Sequence, residues 1–148
     1  MKTYAKKYLG QNFLVNKSIS KKIVDCLSIE KTRNIIEIGP GRGALTYFLA
    51  NKTDQLAIIE IDPDCIKVLK QKFLNIRIIQ ADFLKFDLKS IGYENYSLIG
   101  NFPYNISSQI LFKIYENKKI VNEMIGMFQL EVAERICSNY GTKKYGIL

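Results

Sequence analysis

The sequence predicts an α/β fold, a doubly wound and mostly parallel β-sheet with helices on both faces. Short apolar, β-branched runs recur along the chain at Ile35–Ile38, Leu56–Ile61, Ile76–Ile79, Ser97–Ile99 and Met124–Phe128. They are continuous rather than alternating, as strands covered on both faces are. Stretches of helical period separate them, and strand–helix alternation builds a parallel sheet. No repeat, linker or low-complexity tract marks an internal boundary, and 148 residues suit one domain.

The elements follow in order. Ile19, Ile23 and Leu27 share one face of a first helix, ahead of the Ile35–Ile38 strand. Leu45, Phe48 and Leu49 give a second helix its apolar face. After the Leu56–Ile61 strand, Asp62 can cap a third helix. Pro63 fits its first turn, where the missing N–H costs nothing. Ile66, Leu69 and Phe73 face inward from that helix. A fourth helix follows Ser107 with Ile110, Leu111 and Ile114 inward, and a fifth near 130–139 is expected to bury Ala133 and Ile136.

Composition excludes several chemistries. The chain has no histidine, so a Ser-His-Asp triad, a Cys-His pair and a His-ligated zinc are all ruled out. Cys26, Cys65 and Cys137 stand far apart without a C-x-x-C unit and read as reduced, semi-buried packing residues. No apolar run approaches the ~18 residues of a membrane helix, and the N-terminal stretch lacks a signal-peptide core, so the expected setting is the cytoplasm. Lys and Arg total 22 against 14 Asp and Glu, a net charge of +8 that suits a polyanionic partner or simply a solvated lysine-rich surface.

In such sheets ligands bind beyond the carboxyl ends of the strands. The first strand runs into Glu37-Ile38-Gly39-Pro40-Gly41-Arg42-Gly43-Ala44, a loop whose glycines let a ligand approach the backbone. Glu60 ends the second strand, about twenty residues past Gly39, where an acid can accept both hydroxyls of a ribose. Together they point to a nucleoside-containing cofactor. The glycine spacing also satisfies G-x-G-x-x-G/A, so a nicotinamide cofactor stays open on this motif.

Two later strand ends discriminate. The third is followed by Asp82, suited to accept from an adenine amino group. The fourth leads into Asn101-Phe102-Pro103-Tyr104, which lacks the proton donor a dehydrogenase would want. Those residues can instead hold a flat, amino-bearing base. The Asn101 oxygen can accept one N–H and the Phe102 carbonyl, held extended by Pro103, the other. Tyr104 can stack on the ring, worth about 1–3 kcal/mol per base.

With these residues in place, the sequence resembles the ribosomal RNA adenine N6,N6-dimethyltransferases, S-adenosylmethionine-dependent enzymes with a Rossmann-like methyltransferase fold. The likeness runs through Gly10-Gln11-Asn12-Phe13-Leu14, Glu37-Ile38-Gly39-Pro40-Gly41, Ile59-Glu60-Ile61-Asp62, Asp82 and Gly100 to Ser107. It continues through Phe128-Gln129-Leu130-Glu131-Val132 and Tyr145-Gly146. Each motif alone is weak; in this order they are specific.

The resemblance implies roles. Asn12 and Leu14 would close over the methionine part of S-adenosyl-L-methionine, and Gly39 and Gly41 would pass its carboxypropyl chain. Glu60 would hold the ribose, Asp82 the adenine, and Asn101 would face both cofactor and target base. Phe102 departs from the Leu or Ile most relatives show, which should alter fit more than chemistry. The implied substrate is a pair of adjacent adenines in a hairpin loop near the 3′ end of small-subunit (16S) ribosomal RNA. Phe128–Arg135 and Gly141–Leu148 resemble that branch more closely; a large-subunit adenine, the target of related resistance enzymes, is the alternative. A base in such a loop can be splayed out and stacked. Lys2, Lys6, Lys7, Lys17, Lys21 and Lys22 form a candidate cluster for the RNA backbone, with solvated lysines as the alternative.

The family continues past this point with further strands and a small helical domain. Residues 1–148 are therefore expected to be an incomplete catalytic domain with Met124–Phe128 on an exposed edge, unless a dimer or partner covers it. A non-catalytic RNA-binding or ribosome-assembly protein that keeps the fold is the alternative function.

Overall fold

The computed structural model describes residues 5–28, 33–143 and 145–146. Five strands form one parallel sheet: β1 (Ile35–Ile38), β2 (Leu56–Glu60), β3 (Arg77–Gln80), β4 (Tyr96–Asn101) and β5 (Val121–Met127), in the order β3-β2-β1-β4-β5. Ile35 lies beside both Leu56 of β2 and Ser97 of β4. The winding therefore reverses at β1, and the crevice outside its carboxyl end is where such sheets receive ligands.

Successive strand residues enter opposite cores. Ile35, Ile58 and Ile99 pack with Val24 of α1 (Lys17–Asp25), Leu49 of α2 (Thr46–Leu49) and Leu69 of α3 (Pro63–Lys72). Ile36, Ile38, Ala57, Ile59 and Leu98 meet Phe83, Leu88, Ile91 and the inward side chains of α4 (Ser107–Glu116), Ile110 and Ile114. Every residue of β1 and β2 is buried, Glu37 and Glu60 included, which is why their sequences are otherwise apolar.

The helix signals hold at α3. Asp62 Oδ1 accepts from the Asp64 N–H at 3.0 Å and Pro63 occupies the first turn. At α1 the inward face is Ser20, Val24 and Leu27, with Ile23 half-buried, while Ile19 is 41% exposed. The cause is local: the Ser20 hydroxyl donates to the Asn16 carbonyl at 3.1 Å, so a serine can turn inward with its polar atom satisfied. The α5 expectation is also corrected. In α5 (Leu130–Ile136) no residue is buried, and Ile136 is 42% exposed. Of the cysteines, Cys65 is buried but Cys26 and Cys137 are exposed, all three free. Among the described residues β5 forms an edge of the sheet, its side chains half-buried apart from the exposed Asn122.

Candidate functional site

A cavity of about 250 Å³ opens beyond the carboxyl ends of β1, β2 and β4. The loop after β1 forms its floor. The Gly39 N–H donates to the Ile59 carbonyl at 2.9 Å, carrying the ladder one residue past the strand. The chain then turns with φ of 63° at Gly39, and a Cβ there would meet nothing within 4 Å. Gly39 thus presents bare backbone to open cavity, a cradle that a larger side chain would fill.

Two buried acids stand behind the loop. Glu60 is 4% exposed; Oε2 accepts from the Gly41 N–H, and Oε1 from the N–H groups of Ile61 and Asp62, each at 2.9 Å. Burial raises its carboxyl above the usual range, and the three backbone donors pull it only part of the way back. A carboxylate has about four lone-pair sites, so acceptor capacity remains for a ligand hydroxyl. Glu37, in the middle of β1, is 1% exposed and accepts from the Thr46 hydroxyl at 2.6 Å. Burial pushes it up to about 8 against the pull of Thr46, and the Glu60 charge adds to the rise.

Asp82 is half-buried after β3, its Oδ1 accepting from the Leu84 N–H at 3.0 Å. Across the cavity, Asn101 ends β4 and its Nδ2 donates to the Asn12 carbonyl at 2.8 Å. That bond orients the amide: one of its two N–H groups is taken, and its oxygen is the atom that can accept. The Phe102 ring is 1% exposed and lies 5.2 Å from Phe128, centroid to centroid.

The residues predicted from sequence therefore converge. Asn12, Leu14, Gly39, Gly41, Glu60, Asp82, Asn101, Phe102 and Pro103 all line the one cavity. Tyr104 does not line it and is 40% exposed beside it. Glu37 and Gln11 also line the cavity and were not picked out by role. A lone charge inside an isoleucine strand was the available signal for Glu37; for Gln11 it was its place beside Asn12 in the Gly10–Leu14 motif.

The candidate lysines divide into paired and exposed ones. Lys6 is held by Asp62 at 2.6 Å and Asp64 at 2.8 Å, and Lys21 by Asp25 at 2.6 Å. Lys7, Lys17 and Lys22 are exposed, and Lys2 lies outside the described residues. Among the described residues no helix is long and apolar enough to cross a membrane, and no group of three or more His, Cys, Asp or Glu is placed to hold a metal ion.

A family model described as ribosomal RNA adenine dimethylase matches residues 2–148. The chain belongs to that family. Ribosomal RNA small subunit methyltransferase A of Flavobacterium johnsoniae is 48% identical over 151 residues, covering 99% of this chain and 58% of that protein. The protein of the same name from Mycoplasma capricolum subsp. capricolum is 47% identical over 150 residues, covering 97% and 56%. The chain spans little more than half the length of these relatives. Among solved structures, the 23S rRNA methyltransferase ErmE matches with TM-score 0.75 and 31% identity, over 88% of this chain and 53% of that one. A dimethyladenosine transferase from Plasmodium falciparum gives 0.76 and 29%, over 90% and 49%.

Members of the family take S-adenosylmethionine as methyl donor, which closes the nicotinamide alternative. The cavity fits that group on its own features. It offers a glycine cradle for a chain that must pass close to the backbone. It also offers Glu37, Glu60 and Asp82 to a ligand carrying hydroxyls, an amine and positive charge.

Proposed function

We propose that this chain forms the catalytic fold of a cytoplasmic S-adenosylmethionine-dependent methyltransferase. Its substrate would be N6 of adjacent adenines in the 3′-end hairpin loop of small-subunit (16S) ribosomal RNA, each dimethylated. The observation that carries the reading is the Asn101 amide, whose nitrogen is held by the Asn12 carbonyl while the residue lines the same cavity as Glu60. Glu60 would hold the ribose hydroxyls, Asp82 the cofactor adenine, and Asn12, Leu14 and the Gly39–Gly41 turn the methionine part. When bound, the cofactor supplies an electrophilic methyl group.

The chain's own residues then act on the target amine. Its lone pair is delocalised into the ring, which makes it a poor nucleophile. Acceptance of its hydrogens by Asn101 Oδ1 and the Phe102 carbonyl draws the nitrogen toward tetrahedral geometry and localises the pair. Positioning and electrostatics do most of the work, so no strong base is needed and the departing proton can pass to water. This suits a chain without histidine. Tyr104, exposed beside the cavity, would stack on an entering base.

The test is methyl transfer from labelled S-adenosylmethionine to small ribosomal subunits lacking the modification. The parent is expected to label them and Asn101→Ala to fail while keeping its fold by circular dichroism. Undiminished transfer by Asn101→Ala would remove its catalytic role. Subunit binding without any transfer by the parent would favour an assembly protein. Glu60→Ala should weaken cofactor binding by about 1–3 kcal/mol in calorimetric titration; unchanged affinity would remove the ribose assignment.

A further inference from the structure

The segment from Lys6 to Leu14, whose residues from Tyr8 onward line the cavity, is a strap fastened to three separate parts of the fold. At its start, Lys6 Nζ donates to Asp62 Oδ1 at 2.6 Å and Asp64 Oδ2 at 2.8 Å. Gln11 Nε2 donates to the other Asp62 oxygen at 2.9 Å. The Lys6 N–H in turn donates to Gln11 Oε1 at 2.9 Å, so the two residues hold each other as well as the acid. In the middle, Gly10 packs against the side chains of Pro103 and Asn105, and the Asn12 carbonyl takes the Asn101 amide at 2.8 Å. At its far end, the Phe13 ring lies against Gly41 and 4.5 Å beneath the Arg42 guanidinium.

The anchor is a firm one. Asp62 is 1% exposed and also caps α3, so it moves only with that helix. Burial pushes its carboxyl up, yet the bonds from Lys6, Gln11 and the Asp64 N–H outweigh that and hold it below the usual range. Its bonds to the Asp62 and Asp64 carboxylates raise the Lys6 ammonium, keeping the pair charged. By contrast, the amide that the strap positions belongs to a half-exposed residue, and among the described residues it is held by the bond to Asn12.

We propose that Lys6 and Gln11 are positioning residues for methyl transfer: by latching the strap to Asp62 they place the Asn12 carbonyl, which turns the Asn101 oxygen toward the target amine. Neither residue touches the reacting atoms. The inference rests on the reaction proposed above and adds to it the device that aligns the acceptor.

The experiment compares the parent with Lys6→Met, the milder Gln11→Leu, Lys6→Arg and a control, Lys67→Met. Lys67 approaches the same Asp64, at 3.9 Å, but does not belong to the strap. Two readouts are taken. One is the side-chain amide resonance of Asn101 in the protein without cofactor, assigned by its loss in Asn101→Ala. The other is kcat at saturating cofactor. Lys6→Met and Gln11→Leu should both shift the Asn101 resonance and lower kcat by about tenfold or more. Lys6→Arg should restore most of both, and Lys67→Met should move neither. An Asn101 resonance unmoved in both latch variants overturns the proposal whatever the activity. So does a shifted resonance with parental kcat. If the parent itself transfers no methyl, the reaction proposed above has failed, and the resonance alone still decides whether the latch orients Asn101.

Discussion

The two sides of the cavity are built differently. On the glycine-loop side the acids are sealed: Glu37 is 1% and Glu60 4% exposed, and Glu60 is bound by three backbone N–H groups. On the Asn101–Tyr104 side the polar groups stand at the rim, with Asn101 half-exposed and Tyr104 40% exposed. A small cofactor can enter a fixed, desolvated pocket, where each hydrogen bond counts for more. On the proposed function, a base carried on an RNA hairpin would swing in from solvent, so its acceptors would sit where a macromolecule can reach them. The rim side gains its order from below, through a buried ring, and from above, through the strap.

The largest effect is expected from disturbing that ring. Phe102 lies against the backbones of Gly100 in β4 and Gly126 in β5, which pair in the sheet. A Cβ at Gly126 would overlap the Phe102 ring and stand 3.0 Å from Phe128. Gly126→Ala should therefore cost about 1–3 kcal/mol in denaturant unfolding, as overpacked cores do. It should also sharply reduce methyl transfer by displacing the Phe102 carbonyl. Affinity for S-adenosylmethionine should stay within about twofold, since the glycine-loop side shares none of these contacts. Adding Phe102→Leu should recover much of the lost stability. If cofactor affinity falls as far as transfer does, the two sides are one unit and the contrast between them breaks.

A second test uses the sealed side. The Glu37 carboxyl sits at about 8 in the folded chain against an ordinary value of 4.5, chiefly because of burial. The folded state thus binds this proton more tightly than the unfolded one. Its contribution to stability is complete below about pH 4.5 and is lost as pH rises through about 8. Glu37→Gln, which cannot ionise, removes that loss. The parent should lose stability relative to the variant by a few kcal/mol between pH 5 and pH 8, read from denaturant midpoints at each pH. Parallel curves would mean that Glu37 stays charged in the fold.

Much of this was legible from residue order. The continuous runs at β1, β2 and β4 betray strands covered on both faces, and Asp62-Pro63 marks the start of α3 with its own capping chemistry. The spacing from Gly39 to Glu60 places an acid beside a bare loop, and the cavity unites them. The exceptions have a common physical cause. Lys6 looks like any solvated lysine because its partner Asp62 lies 56 residues away, and no local pattern records such a pair. The inward turn of Ser20 depends on a hydroxyl finding the Asn16 carbonyl, which hydrophobic periodicity does not count. Ala133 and Ile136 have helical spacing, but a period states which face could be buried and not whether anything covers it.

The smallest effect is expected at the other end of β4, where Tyr96 provides a control for everything claimed at Asn101. Tyr96 is 0% exposed, within the core formed by Leu88, Ile91, Leu98 and Ile114, and its hydroxyl has no hydrogen-bond partner among the described residues. Burial raises its phenol above the usual range, with the Asp87 charge adding to it. A buried hydroxyl without a partner gives up its water and receives nothing in return. Tyr96→Phe should therefore raise stability by about 1 kcal/mol in denaturant unfolding. Because the amino end of the strand faces away from the cavity, cofactor titration and methyl transfer should be unchanged. A loss of stability would reveal a partner for the hydroxyl, such as an ordered water. A change in transfer would mean that strain travels the length of β4, and that the rim is tuned from the core beneath it as well as by the strap above.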